Sequence, residues 1–181
     1  MAKSSMTSSW ARTTGFVYLL YFLTAIAGQV LVSKHEALPG KTINFISVGL
    51  YVLLGVLFGR LFWPSSKVLS SIAVLFNFAG GAMTLLALHT GRDAPANPLL
   101  FFGVYCLLLG ALILRSTFLP RVLGLLLLAA GIGWLAFLAP WHPRLLVISI
   151  EILGFVSEAA LMVWLLLAGV NEQKWIKQAA A

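Results

Sequence analysis

Long apolar runs alternate with short polar segments along the whole sequence. Six runs extend between charged or helix-ending residues: Thr13 to Ser33, Thr42 to Phe62, Val68 to Thr90, Pro98 to Leu114, Leu119 to Ala139 and Leu145 to Gly169. Each run is close to the length, roughly 17–25 residues, that an α-helix needs to cross the hydrocarbon of a bilayer. Because lipid offers no hydrogen-bond partners to the backbone, helices are expected throughout. The pattern predicts an all-α, polytopic integral membrane protein, a bundle of about six transmembrane helices.

The polar segments between the runs are short and contain residues that end helices, as in Trp63-Pro64-Ser65-Ser66-Lys67. Short connections favour one compact bundle. We therefore expect a cytoplasmic N-terminal segment over 1–12, a six-helix transmembrane domain over 13–169 and a cytoplasmic C-terminal tail over 170–181. The alternative for the first run is a cleaved signal peptide, since Ala25-Ile26-Ala27 has the pattern of a cleavage site. A retained helix is favoured because the apolar run continues beyond that site.

Composition supports the membrane interpretation. Hydrophobic residues make up 61% of the 181 residues, charged residues make up 9%, and the mean hydropathy is +1.00. A soluble domain of this composition would aggregate. The formal net charge is +7, but the basic residues are scattered between the apolar runs and form no contiguous patch that would suit nucleic acid. Membrane lipids are the expected surroundings, and no nucleic-acid partner is expected.

The basic residues also predict orientation, because the cytoplasmic loops of membrane proteins are enriched in Lys and Arg. Eight fall on the amino-terminal side of the membrane: Lys3, Arg12, Arg60, Lys67, Arg115, Arg121, Lys174 and Lys177. Four fall on the other side: Lys34, Lys41, Arg92 and Arg144. Both termini are therefore expected in the cytoplasm, in a multi-pass protein of the cytoplasmic membrane. Tryptophans at the span ends mark the interfaces: Trp10, Trp63, Trp141 and Trp175.

Two acidic residues in the last span are the main candidates for chemistry. Glu151 and Glu158 are seven positions apart, which is two helical turns, so both are expected on one helix face. A carboxylate in hydrocarbon costs roughly 2.5–3.5 kcal/mol on insertion scales, so that face should point into the bundle or a wet cavity. At about 1.5 Å per residue, Glu151 would lie about 10 Å and Glu158 about 20 Å below the outer boundary. An unpaired carboxyl there would favour its neutral form, able to carry or donate a proton.

The same depth estimate identifies partners for these carboxyl groups. Asn77 is expected level with Glu158, and Tyr105 level with Glu151, and either side chain could hydrogen-bond a neutral or charged carboxyl. The alternative is that the acidic residues only join helices, with no substrate involved. The candidate ligand or proton site is therefore Glu158, Glu151, Asn77 and Tyr105. No catalytic residue is assigned.

The remaining polar and small residues suggest no further chemistry. His35, His89 and His142, with Glu36 or Asp93 nearby, could converge on a metal, but they have no recognised ligand spacing, so no metal and no cofactor are expected. Cys106 is the single cysteine, so no intrachain disulfide can form. Glycines recur at packing intervals, which favours close helix contacts: Gly55 with Gly59, Gly103 with Gly110, Gly124 with Gly131, and the pair Gly80-Gly81.

Three stretches resemble the bacterial membrane-protein family called domain of unknown function 4386. They are Ala11–Leu20 (ARTTGFVYLL), Arg115–Gly124 (RSTFLPRVLG) and Glu158–Leu166 (EAALMVWLL). In that family a Glu and a Trp like Glu158 and Trp164 stand in the last helix, whereas we assign Glu151 no counterpart. The resemblance implies a small multi-helix protein of a bacterial or archaeal cytoplasmic membrane and supplies no activity.

Three functional hypotheses follow. The first is a protein that binds or transports a small apolar or amphipathic molecule, with Glu158 exchanging a proton. The second is a noncatalytic membrane subunit or assembly factor, whose polar residues bond within the bundle or to a partner helix. The third is an intramembrane enzyme acting on a lipid or isoprenoid, with Glu158 or Glu151 as general acid. A bundle this small would need a homodimer to enclose a transport pathway, whereas a partner membrane protein is expected under the second hypothesis.

Overall fold

The computed structural model describes residues 2–139 and 143–180, and within them the chain is helical with no strand. The seven helices are α1 (Ala2–Ser33), α2 (Ala37–Leu61), α3 (Lys67–Thr90), α4 (Pro98–Arg115), α5 (Arg121–Ala136), α6 (Arg144–Leu167) and α7 (Glu172–Ala179). The all-α prediction is confirmed. Trp141 and His142, expected at the outer interface, lie outside the described residues.

Five of these helices, α1 to α4 and α6, are long and apolar enough to cross a membrane. α5 is equally apolar but has only 16 residues, so it is shorter than the predicted run over 119–139. It begins after Pro120, and beyond Ala136 the backbone tightens into turns in which Leu138 N–H bonds to Leu135 O and Ala139 N–H to Ala136 O. Many large apolar side chains face outward from the bundle. An apolar outer surface of this kind suits contact with lipid better than contact with water.

The six long helices form a closed ring. Each packs against the next in sequence, and α6 returns to pack against α1. The turn from α1 to α2 is tight, and His35 adopts a left-handed conformation there, with φ 62°. The ring order decides which buried side chains can meet: residues of adjacent helices, or residues that point into the centre.

An aromatic stack closes the centre of the ring at the end where α2 ends and α3 begins. Phe58 and Phe62 stack with ring centroids 6.0 Å apart, and Phe62 and Phe118 stack at 5.9 Å. All three side chains are buried. These three rings therefore fill the centre of the bundle at this end.

The C-terminal helix α7 covers the same end, where the sequence predicted only a tail. Trp175 Nε1–H donates to the backbone oxygen of Leu61 at 2.8 Å, and Gln178 Nε2–H donates to that of Arg115 at 3.1 Å. Asn171 caps the helix by accepting from Lys174 N–H. α7 thus supplies donors to carbonyl groups at the ends of α2 and α4.

Glycines allow close contact between neighbouring helices, as predicted. A Cβ on Gly110 would lie 2.8 Å from Gly124 O, and one on Gly124 would lie 2.8 Å from Gly110 O. Gly103 and Gly131 are related in the same way, two helical turns farther along the same contact. The packing interpretation of these glycines is confirmed for the contact between α4 and α5.

Candidate functional site

Glu158 lies inside the ring, where α6 meets α1. Its side chain is 7% exposed, and Tyr18 Oη donates a hydrogen bond to Glu158 Oε2 at 3.3 Å. α1 comes this close because Gly15 has no side chain: a Cβ there would lie 2.8 Å from Leu166 N. The structure therefore pairs the buried carboxyl group with a phenol.

All four tyrosines of the chain belong to one cluster that ends on Glu158. Neighbouring rings are 6.2 Å apart for Tyr18 and Tyr21, 5.7 Å for Tyr21 and Tyr51, and 5.9 Å for Tyr51 and Tyr105. Two of the tyrosines lie on α1, one on α2 and one on α4, and Glu158 lies on α6. We call Tyr18, Tyr21, Tyr51, Tyr105 and Glu158 the tyrosine–glutamate cluster.

Two hydroxyl groups of this cluster are buried without a hydrogen-bond partner among the described residues, Tyr51 Oη and Tyr105 Oη. Gly80 leaves room beside one of them, since a Cβ there would lie 3.5 Å from Tyr51 Oη. Buried polar groups are nearly always satisfied in native proteins. Unpaired phenols in the middle of a bundle are therefore candidates for contact with a bound polar group.

A cavity of about 360 Å³ leads to the cluster from the end of the bundle where α1 ends and α2 begins. Its wall includes two members of the cluster, Tyr21 and Tyr51. The other polar side chains that line it are Gln29, Asn44, Ser47 and Thr84, and the apolar ones include Leu88, Leu99 and Phe102. The volume is at the lower end of the roughly 300–1,000 Å³ typical of small-molecule sites. A mixed lining of this kind suits an amphipathic molecule.

Asn77 is buried as expected but does not meet Glu158. Its Nδ2–H donates to Tyr51 O at 3.1 Å, and its side chain fills the space left by Gly55. The expectation that it would pair with Glu158 is wrong because it rested on depth alone. α3 and α6 are not neighbours in the ring, so Asn77 faces α2 instead.

Glu151 lies on the outside of the bundle, although it is only two helical turns from the buried Glu158. Its side chain is exposed, although Ile150 beside it is buried. α5 still covers this part of α6, since a Cβ on Gly133 would lie 3.1 Å from Ile150. Glu151 lies outside that contact and is exposed, so its expected burial is wrong.

Tyr105 is buried and belongs to the cluster, but its neighbour is Tyr51 and not Glu151. The structure thus brings Glu158 and Tyr105 into one cluster and leaves Glu151 and Asn77 out of it. Tyr18, Tyr21 and Tyr51 were missed by sequence reasoning. Their signal was available, since every tyrosine of the chain falls inside an apolar run, where a phenol needs a polar partner.

No metal cluster is present in the described part of the chain, where no three His, Cys, Asp or Glu side chains come together. His142 lies outside that part. Cys106, next to Tyr105, is buried and free.

Comparison with known proteins gives a family and one relative. Residues 93–169 match the model of the family described as domain of unknown function (DUF4386). The match includes the stretches 115–124 and 158–166 and therefore Glu158, whereas 11–20 lies outside it. An uncharacterized protein of Archaeoglobus fulgidus is 28% identical over 134 residues, covering 68% of this chain and 75% of that protein. No solved structure matches the chain. The resemblance to the family is confirmed over the second half of the chain, and it adds no activity.

Proposed function

We propose that the protein binds a small amphipathic molecule in the cavity above the tyrosine–glutamate cluster, and that Glu158 exchanges a proton with it or with water during transport. One observation carries the proposal: the cavity wall contains Tyr21 and Tyr51, which connect ring by ring to the phenol that holds Glu158. A molecule in the cavity would therefore touch the side chains that control the environment of the carboxyl group.

The polar end of the molecule would face the cluster. Tyr51 Oη, on the cavity wall, is a donor without an acceptor among the described residues, so it suits a carbonyl, hydroxyl or carboxyl oxygen of the ligand. The apolar part would lie against side chains such as Leu88 and Phe102. Glu158, in its neutral form, would donate a proton when the contact from Tyr18 changes.

Orientation is part of the proposal. The excess of Lys and Arg at the end carrying both termini favours placing that end in the cytoplasm. The cavity would then open toward the outside of a prokaryotic cytoplasmic membrane, with the stack of Phe58, Phe62 and Phe118 closing the inner side. Transport would require that stack to separate while the outer end closes, as alternating access demands.

The test is native mass spectrometry of the gently solubilised protein. We expect a retained small-molecule mass that is lost in Ala25→Phe, because Ala25 lines the cavity and a phenyl ring would fill it. Ile26→Phe is the matched control, since Ile26 is 46% exposed on the outer surface and is not part of the lining. A wild-type protein without any retained small molecule, or equal retention in both variants, would contradict the proposal.

A second candidate, a noncatalytic subunit or assembly factor, is favoured by the outer face of α6. Glu151 is exposed there beside Ile152, Phe155 and Val156, which are 59%, 53% and 49% exposed. A carboxylate facing lipid is costly unless a partner helix or the interface accepts it. Co-purification of a stoichiometric membrane partner, or of a dimer that Glu151→Leu dissociates, would favour this function.

A further inference from the structure

A groove of about 540 Å³ lies at the opposite end of the bundle from the cavity, between α7 and the connection from α2 to α3. Its lining consists of Arg60, Trp63, Pro64, Ser66, Lys67, Trp175, Gln178 and Ala179. The α7 side of the groove is fixed in place, because Trp175 bonds to the backbone of α2 and Gln178 to the end of α4. The shape of the groove is therefore set by hydrogen bonds between α7 and the rest of the bundle.

The charge of the groove is positive. Arg60 and Lys67 contribute two basic side chains, and its described lining contains no acidic residue. The Arg60 guanidinium lies 4.7 Å from the ring centroid of Trp10, a cation–π contact that holds it at the end of α2. Lys67 is the first residue of α3 and Ser66 is its N-cap, so the positive end of the helix dipole adds to the two side chains. These groups together suit a phosphate.

The surroundings of the groove point to a lipid as the source of that phosphate. Trp63, which is 48% exposed, and Trp175 place two indoles at the edge where apolar helix gives way to polar ends, the position that Trp takes at a membrane interface. Below the groove, Val68 and Leu75 are seven positions apart on α3 and are 69% and 65% exposed. Acyl chains can lie along this apolar stripe while the headgroup occupies the groove.

We propose that this groove binds the phosphate of an anionic phospholipid headgroup, held by Arg60 and Lys67 between the indoles of Trp63 and Trp175. The site is separate from the cavity at the other end of the bundle and does not depend on the function proposed above. A bound lipid there would join α7 to the α2–α3 connection across the membrane surface.

Native mass spectrometry with added phosphatidylglycerol tests the site. We expect the wild-type protein to hold phosphatidylglycerol at least tenfold more tightly than phosphatidylcholine. The double variant Arg60→Gln, Lys67→Gln should lose this preference, whereas the matched control Arg121→Gln should keep it, because Arg121 is exposed near the same membrane surface but lies outside the groove. Lys67→Gln alone should weaken binding severalfold, and it leaves the Arg60–Trp10 contact intact.

Three results would overturn the proposal. One is equal binding of the two lipids to the wild-type protein. Another is unchanged phosphatidylglycerol binding by the folded double variant or, if that variant fails to fold, by Lys67→Gln. The third is displacement of the lipid by millimolar glycerol 3-phosphate, which would identify a site for soluble phosphate compounds. Failure of glycerol 3-phosphate to compete would support a site that recognises the whole lipid.

Discussion

Tyr18 and Glu158 are 140 positions apart in the sequence, yet Tyr18 Oη donates a hydrogen bond to Glu158 Oε2 at 3.3 Å, where α1 and α6 close the ring. The contact joins the first and last long helices through the most deeply placed acidic side chain. It therefore contributes to the closure of the bundle as well as to the environment of the carboxyl group.

This contact predicts the effect of removing one hydroxyl group. Tyr18→Phe should lower the free energy of unfolding by about 1–3 kcal/mol, because it leaves a buried carboxyl without its donor. In a Glu158→Leu background the same change should have little effect, since the acceptor is already gone. Tyr21→Phe, in the same cluster, is the control and should change stability by less than Tyr18→Phe. Additive effects of the two changes would argue against the hydrogen bond.

The two acidic residues of α6 should respond differently to truncation. Glu158→Ala should reduce stability by about 2–4 kcal/mol, because it opens a cavity and leaves Tyr18 unpaired. Glu151→Ala should leave the unfolding midpoint of the isolated protein almost unchanged, because the side chain is exposed. Thermal unfolding in detergent measures both. An equal loss for Glu151→Ala would place that residue in an interface between chains.

Access to the cavity can be measured with cysteine labelling. In a Cys106→Ala background, Thr84→Cys should react with a membrane-impermeant maleimide, because Thr84 lines the cavity and the reactive thiolate forms only in contact with water. Leu86→Cys, at a similar depth but 39% exposed on the outer surface of α3, should stay unlabelled. Labelling of Thr84→Cys from the outside of intact cells would support the proposed orientation, and labelling only from the cytoplasmic side would reverse it.

Two glycine substitutions should have opposite effects on stability, one at the contact of α4 with α5 and one on the open surface of α2. Gly124→Ala should destabilise the protein by about 1–3 kcal/mol, because its Cβ would lie 2.8 Å from Gly110 O. Gly49→Ala should leave stability unchanged or raise it by up to about 1 kcal/mol, since nothing lies within 4 Å of a Cβ there and alanine favours helix. Chemical or thermal unfolding of both variants provides the comparison, and a stable Gly124→Ala would refute the close contact.

The indole of Trp175 is one of the groups that attach α7 to the bundle. Trp175→Phe should cost about 1 kcal/mol, because the Nε1–H bond to Leu61 O, 2.8 Å long, is lost while the aromatic ring is retained. Trp164→Phe is the matched control, since Trp164 is 40% exposed on the outer face of α6. Faster proteolysis near residue 171 in Trp175→Phe, but not in Trp164→Phe, would show that α7 has been released.

The sequence predicted the helices well because hydrophobic length is a local property. It also identified Glu158 as an inward-facing residue, because a carboxyl group exposed to hydrocarbon is costly. It could not predict that Tyr18 would be its partner, because that pairing depends on the order of helices around the ring. Asn77 illustrates the same limit. Counting residues from the end of a span gives the depth of a side chain, but it does not give the helix that the side chain faces.

Periodicity failed at Glu151 for a different reason. Seven-residue spacing places Glu151 and Glu158 on similar faces of α6, but a face is buried only where another helix covers it. α5 packs on Ile150 through Gly133, but Glu151, the next residue, lies outside that contact and is exposed. α7 was predicted only as a tail because its eight residues are too few to form an apolar run.

The short fifth helix would also affect a membrane around it. Sixteen residues span about 24 Å at 1.5 Å per residue, less than the roughly 30 Å of hydrocarbon in an average bilayer. Hydrophobic mismatch of this size is relieved when lipid thins locally beside the helix. The depression would form next to the first turns of α6 and bring headgroups and water toward Glu151. A short fifth helix would thus supply this exposed carboxylate with a polar environment.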